Sequence, residues 1–303
     1  MKPAVECVAR VDNTLGEGPW WDAAGQALWW VDAWQSRVWR LDAGATQATF
    51  LALPAPLAGE PIGSMVLDVE GRLVCAMRRD FWRVDPATGA ASLLAEGERG
   101  RPPTNRLNDG KCDRAGRYWC GSLNTDWRHA SGALYRLDPD GRVDCVIDAH
   151  GISNGIAFSP DDRVFYFADT SAGVVWRFDF DLASGTIGNR RMFIDMRDAP
   201  GQLDGATVDA EGNYWSALFG AAAVACFDPD GRLVRRIEVP TRHPTMCTFG
   251  GAALDTLYVT TARRFLEPAE LAAQPLAGSL LAIHGLGVRG LPETRFGARP
   301  AYI

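Results

Sequence analysis

Gly-Ile-Ser-Asn-Gly-Ile-Ala-Phe-Ser-Pro-Asp-Asp-Arg-Val-Phe-Tyr-Phe-Ala-Asp-Thr, running from Gly151 to Thr170, decides the architecture. A short apolar run (Ile156 to Phe158), a turn (Ser159 to Asp162) and a β-branched and aromatic run (Val164 to Phe167) together make a hairpin signal. Asn154 opens the first strand, eight residues before the turn residue Asp162.

The same frame slides along the whole chain. Asp-x-x-Gly turns end at Gly25, Gly71, Gly116 and Gly212, with variants at Asp162 and Asp255, a period in the mid-forties. A second marker keeps phase: Trp39-Arg40-Leu41-Asp42, Trp82-Arg83-Val84-Asp85, Tyr135-Arg136-Leu137-Asp138 and Trp176-Arg177-Phe178-Asp179 each close a third strand. Cys226-Phe227-Asp228-Pro229 is a weaker copy. Two markers in register at this period are the signature of propeller blades. The expected fold is all-β, a six-bladed β-propeller with four-stranded blades. Val5 to Val11 alternates polar and apolar residues outside the first repeat, and as a strand added to the last blade it closes the ring. Residues 1–303 read as a single domain.

Composition agrees with such a ring. Hydrophobic residues make up 47% of 303, and 11 Trp and 13 Phe suit sheets wedged face to face. The formal charge of −6, with no dense Lys/Arg cluster, argues against a nucleic-acid partner. No apolar run reaches membrane-spanning or signal-peptide length, so a cytoplasmic protein, monomeric or a small homo-oligomer, is expected. Seven scattered cysteines, none in a Cys-x-x-Cys pair, read as buried free thiols rather than a zinc knuckle. Trp20, Trp21, Trp29 and Trp30 read as inter-blade packing, and the Gly285 to Gly290 stretch lacks the strand-to-helix setting of a phosphate loop.

Eight residues before each turn lie Glu17, Gly63, Asn108, Asn154, Asp204 and Cys247. Equivalent positions at the start of each innermost strand converge on the channel of a propeller. Glu17, Asn154 and Asp204 offer two carboxylates and one amide carbonyl, all hard oxygen donors. Such a set suits calcium, magnesium or manganese, with zinc or ferrous iron as further options. Facing carboxylates repel, so one divalent cation is expected there, with open positions for water and substrate. The polar excursion from Ser122 to Gly132 lies where the second strand of blade three hands over to the third. It is expected to reach over the channel mouth and to influence substrate choice through Asp126, Arg128 and His129.

These residues match a family. Leu15-Gly16-Glu17-Gly18-Pro19, Arg106-Leu107-Asn108-Asp109-Gly110-Lys111, Ser153-Asn154-Gly155, Leu203-Asp204-Gly205 and Phe249-Gly250-Gly251 occur in order. The C-terminal runs Thr261-Ala262-Arg263, Gln274 to Gly278 and Gly285 to Gly290 match as well. In these the chain resembles the senescence marker protein/gluconolactonase family, to which regucalcin belongs. The resemblance implies one divalent metal held by Glu17, Asn154 and Asp204, and hydrolysis of sugar aldonolactones of the gluconolactone type to aldonic acids. It further implies substrate binding by Arg106 and Asn108, and a general-base role for Asp204. Two departures stand out: Leu203 replaces the usual Pro before the fifth-blade Asp, and Asp126 is the nearest match to an acidic substrate contact. Other readings of the same residues are a non-enzymatic calcium-binding or regulatory propeller and a metal-dependent esterase of other substrates.

Overall fold

Alternating apolar strands bounded by Asp- and Gly-rich turns fold into six four-stranded antiparallel sheets arranged as a ring. The computed structural model describes residues 3–127 and 129–299. The innermost strands, in blade order, are Gly16–Asp22, Ile62–Leu67, Asn105–Cys112, Ser153–Phe158, Gln202–Val208 and Pro244–Gly250. Five blades run outward in chain order, and the sixth is closed by the N-terminal strand Ala4–Ala9 pairing with Leu280–His284. A ring joined in this way leaves no unpaired seam between its ends. The expected six-bladed, four-stranded propeller is the observed fold.

Aromatic side chains join the blades. Trp21 stacks on Tyr258 of blade six, Trp119 tilts against Phe165 of blade four, and Trp215 meets Phe249 edge-on. Trp20, Trp21, Trp29 and Trp30 are all buried. Removing each such ring from water stabilises the fold by about 2–3 kcal/mol. The Asp of the repeated turn also anchors two of these rings. Buried Asp113 accepts from the Trp119 indole N–H, and buried Asp209 from that of Trp215, each at 2.8 Å. Outside the sheets Pro268–Ala273 forms a short helix, opened by a reciprocal Glu267–Glu270 capping box with Pro at the first turn.

Every innermost strand is irregular near its start. The pairing slips between Glu17 and Trp20, Ile62 and Ser64, Leu107 and Gly110, Asn154 and Ala157, Leu203 and Ala206, and Pro244 and Met246. Bulges at equivalent places re-aim side chains towards the axis. Gly155 adopts φ +57°, and a Cβ there would collide with the Tyr214 hydroxyl, so only glycine fits this bend.

Two local expectations are corrected. Cys247 lies beyond the bulge, paired with Val259 and fully buried in the inter-blade core, so Thr245 takes the bulged place in blade six. The five-residue turn from Gly251 to Asp255, longer than that of blade one, shifts the phase. Ser122 to Asn124, assigned to the polar excursion, instead extend the strand Tyr118–Asn124 and are buried. Their polarity is tolerated because Ser122 Oγ accepts from Ala133 N and Asn124 Nδ2 donates to Ser131 Oγ.

Candidate active site at the open mouth of the channel

The lead-in to each of two innermost strands is held by an aspartate of the same blade. Asp32 accepts from the backbone N–H groups of Thr14, Leu15, Trp34 and Gln35, fixing the approach to Glu17. Asp169 does the same for Gly151, Ile152 and Ala172 ahead of Asn154. The bulges then set side chains from several blades around one cavity of about 390 Å³. Glu17, Arg106, Asn108, Asn154 and Asp204 all line it, alongside Thr170, Gln202 and an apolar rim of Leu15, Leu123, Ile152, Trp127, Phe219 and Phe265.

One hydrogen-bonded chain crosses three blades. Arg106 Nη1 donates to Asn108 Oδ1 at 2.8 Å. Asn108 Nδ2 donates to Asn154 Oδ1 at 3.0 Å and to the Ser153 carbonyl at 2.8 Å. Asn154 Nδ2 donates to Thr170 Oγ1 at 2.9 Å, and the Thr170 hydroxyl donates to the Leu203 carbonyl at 2.7 Å. A hydroxyl has one proton. Because Thr170 gives it to Leu203, it can only accept from Asn154, which fixes the Asn154 amide. The oxygen therefore faces Asn108 and keeps one lone pair. Thr170 carried no signal in the repeat pattern, since it lies in the turn after the second strand of blade four rather than at an innermost position.

The carboxylates are electrostatically unsettled. Burial, then the charges of Asp204 and Asp109, hold the Glu17 carboxyl well above its usual range. Burial, then Asp109, does the same for Asp204. Asp109, one residue beyond Asn108, is pushed up to about 6 by burial, although it accepts from Ile156 N at 3.0 Å. Burial lowers the Arg106 guanidinium to about 10; Glu17 opposes that shift and Arg264 adds to it. Among the described residues no three of His, Cys, Asp or Glu gather as a metal-binding group. A cation on this axis would therefore need the Asn154 amide oxygen beside the two carboxylates. The donor chemistry fits a hard divalent cation: two carboxylates held above their usual range by burial and like charge, plus an amide oxygen already oriented.

The excursion on blade three contributes differently from expectation. Asp126 does not line the cavity; its carboxylate meets His129 Nδ1 at 2.6 Å, and its N–H donates to Asn124 Oδ1 at 3.0 Å. Trp127 of that loop lines the mouth, in a left-handed conformation (φ +59°) and about half exposed. Arg128 lies outside the described residues. His150 and His243 are buried against Phe167 and Phe219, and His284 pairs with Glu6 at the rim of blade six.

The far end of the channel is closed. Lys111 meets Glu293 at 2.7 Å and Thr248 donates to the same Glu293 oxygen at 2.9 Å. The C-terminal segment laces the repeated turns together, through Gly290 to Asp209, Phe296 to Asp68, Gly297 to Gly116 and Arg295 to Asp22.

Fold and site together define a six-bladed propeller with an axial set of oxygen donors open at one mouth. The sequence model described as SMP-30/Gluconolactonase/LRE-like region matches residues 15–263, and the chain belongs to that family. It is 36% identical over 297 residues to a 6-deoxy-6-sulfogluconolactonase of Pseudomonas putida, covering 98% of this chain and 99% of that protein. Among solved structures it resembles a regucalcin of Agrobacterium tumefaciens, described as a calcium-binding protein, with TM-score 0.90, 31% identity and 97% coverage of each chain. It also resembles a gluconolactonase of Xanthomonas campestris, with TM-score 0.74 and 27% identity, covering 92% of this chain and 89% of that one.

Proposed function

We propose that the protein is a metal-dependent lactonase that opens sugar aldonolactones of the gluconolactone type to aldonic acids. Family membership and the lactonase names of its relatives support the enzyme class. The observation that carries the reading is the pair Glu17 and Asp204 facing one cavity with Arg106, Asn108 and Asn154. Glu17, Asn154 and Asp204 would hold one divalent cation, drawn from calcium, zinc, manganese, magnesium or ferrous iron. When bound, such a cation supplies Lewis-acid stabilisation of the charge that develops on the lactone carbonyl oxygen.

The chain's own groups do the rest. Asp204 takes a proton from the attacking water as the new C–O bond forms, and returns it to the ring oxygen as the ester C–O bond breaks. Arg106, tied to Asn108 through one nitrogen, presents its remaining N–H groups to the lactone, and Asn108 Oδ1 keeps a lone pair to accept from a ring hydroxyl. Leu15, Leu123, Ile152 and Phe219 line the cavity with apolar surface and limit water to the reacting side. A cytoplasmic setting is supported by seven free thiols, of which only Cys145 is exposed.

A non-enzymatic calcium-binding role shares the same carboxylates. The Arg106–Asn108 clamp favours the enzyme, because an ion buffer has no use for a guanidinium beside its ligands. The deciding experiment follows proton release from a panel of aldonolactones after chelation and after return of each metal. No turnover with any lactone and metal would leave the binding role as the better reading.

A further inference from the structure

Glu98 carries a buried carboxylate that the chemistry above does not use. It lies in the connection between the last strand of blade two, Ala91–Glu96, and the innermost strand of blade three. Among the described residues no cation pairs with it; Arg99 and Arg101, its neighbours in the chain, pair with Glu96 and Asp148 instead. Arg79 grips the backbone of this connection, donating to the carbonyls of Glu98, Arg101 and Pro102. The Tyr135 ring lies beside the carboxylate: burial first, and then the Glu98 charge, raise its phenol above the ordinary value. Burying a carboxylate without a cation is costly, and a segment needed only for packing would carry an apolar residue there.

A carboxylate can only accept, so it dictates the orientation of the amide it meets. Asn105 Nδ2 donates to Glu98 Oε2 at 2.9 Å, and with its second hydrogen to the Ser131 carbonyl at 2.7 Å. The Asn105 oxygen is thereby turned to the Ser131 hydroxyl, which donates to it at 2.9 Å. Having given its one proton, that hydroxyl must accept from Asn124 Nδ2, again at 2.9 Å. The Asn124 oxygen then faces the turn and accepts from Asp126 N at 3.0 Å, while the Asn124 carbonyl accepts from Trp127 N at 3.2 Å. Asn105 opens the strand that carries Arg106 and Asn108, and Asn124 ends the strand that hands over to Trp127. The Trp127 ring lines the cavity from a left-handed backbone, φ +59°, a strained conformation for a bulky residue that its surroundings must hold. One acceptor-only group therefore sets the polarity of every link between the blade-two connection and this wall of the site.

Resting on the lactonase reading above, we propose that Glu98 is a positioning residue: through Asn105, Ser131 and Asn124 it holds the Trp127 turn at the cavity and so sets how tightly the lactone is bound. Glu98→Gln keeps the shape but offers a donor as well as an acceptor, so the Asn105 amide can turn over and the chain loses its direction. In the metal-loaded protein, with gluconolactone followed by proton release, KM should rise by about tenfold, the lower end of the scale for a hydrogen bond to a charged group. The same variant should keep kcat within about twofold, since the axial residues are untouched. Glu98→Asp, shorter but still acceptor-only, should recover part of the loss. Trp127→Ala should raise KM by itself, and Glu98→Gln added to it should change nothing further, because both act through one ring. A KM unmoved in Glu98→Gln overturns the proposal, as does a full additional effect on top of Trp127→Ala. Should Glu98→Gln fail to fold, Ser131→Ala cuts the same chain closer to the turn, and an unmoved KM there overturns it equally. Hydrogen exchange needs no turnover and separates the two readings. The Asp126 and Trp127 amides should exchange about tenfold faster in Glu98→Gln, as expected when a local unit loses one anchor. Without turnover of any lactone the lactonase reading fails, yet faster exchange still supports the role of Glu98, and unchanged exchange overturns it.

Discussion

At the closed end of the channel Lys111, Glu293 and Thr248 satisfy one another at 2.7 and 2.9 Å, under a segment that ties four blades together. At the open end Glu17 and Asp204 face a cavity with their pKa values raised by burial, and Arg106 has no carboxylate ion-pair partner among the described residues. Both ends are built from the same innermost strands: Arg106 and Lys111 belong to one strand, Asn105–Cys112. Charge at one end is compensated by the chain itself and serves the fold. Charge at the other is left for something that binds, which is where function concentrates.

That contrast can be broken from either side. Chelation should abolish lactone hydrolysis and a divalent ion should restore it; full turnover by a sample shown to be metal-free by elemental analysis would sink the reading. Next in size, Asp204→Asn keeps an oxygen donor but loses charge and basicity. It should lower kcat by roughly 10² or more, as the loss of a general base does, even at saturating metal. Near-normal kcat there would place the base elsewhere. Thr170→Val removes the acceptor that orients the Asn154 amide. It should weaken metal affinity by about tenfold, the scale of losing a group that positions a ligand, read by titrating the chelated protein. The smallest effect on activity belongs to the closed end. Glu293→Gln should cost about 2 kcal/mol of stability in urea unfolding, as one partner of a mostly buried pair is neutralised, while kcat per folded molecule stays within about twofold. A large kcat loss would show that the two ends are coupled.

The repeat made the ring legible because blades are local units, each a meander whose turns and third-strand markers recur in sequence. Glu17, Asn108, Asn154 and Asp204 were legible for the same reason: equal phase in a repeat becomes proximity on an axis. Cys247 shows the limit of that rule, since a longer turn in blade six moved the phase and sent the thiol into the core. Trp127 shows another: its place in the loop gave no sign in the repeat, yet it lines the cavity.

Periodicity and local turn chemistry were thus enough for the strand pattern, the blade count, the closure by the N-terminal strand and the residue types offered to the axis. Other features came into view only with the folded chain: Thr170 orients Asn154, Glu98 orients Asn105, and the C-terminal segment seals the opposite end. Those contacts join residues from different blades, or from non-equivalent places in one blade. Their geometry depends on how bulged strands and irregular loops pack around the ring, and no repeat in the chain encodes it.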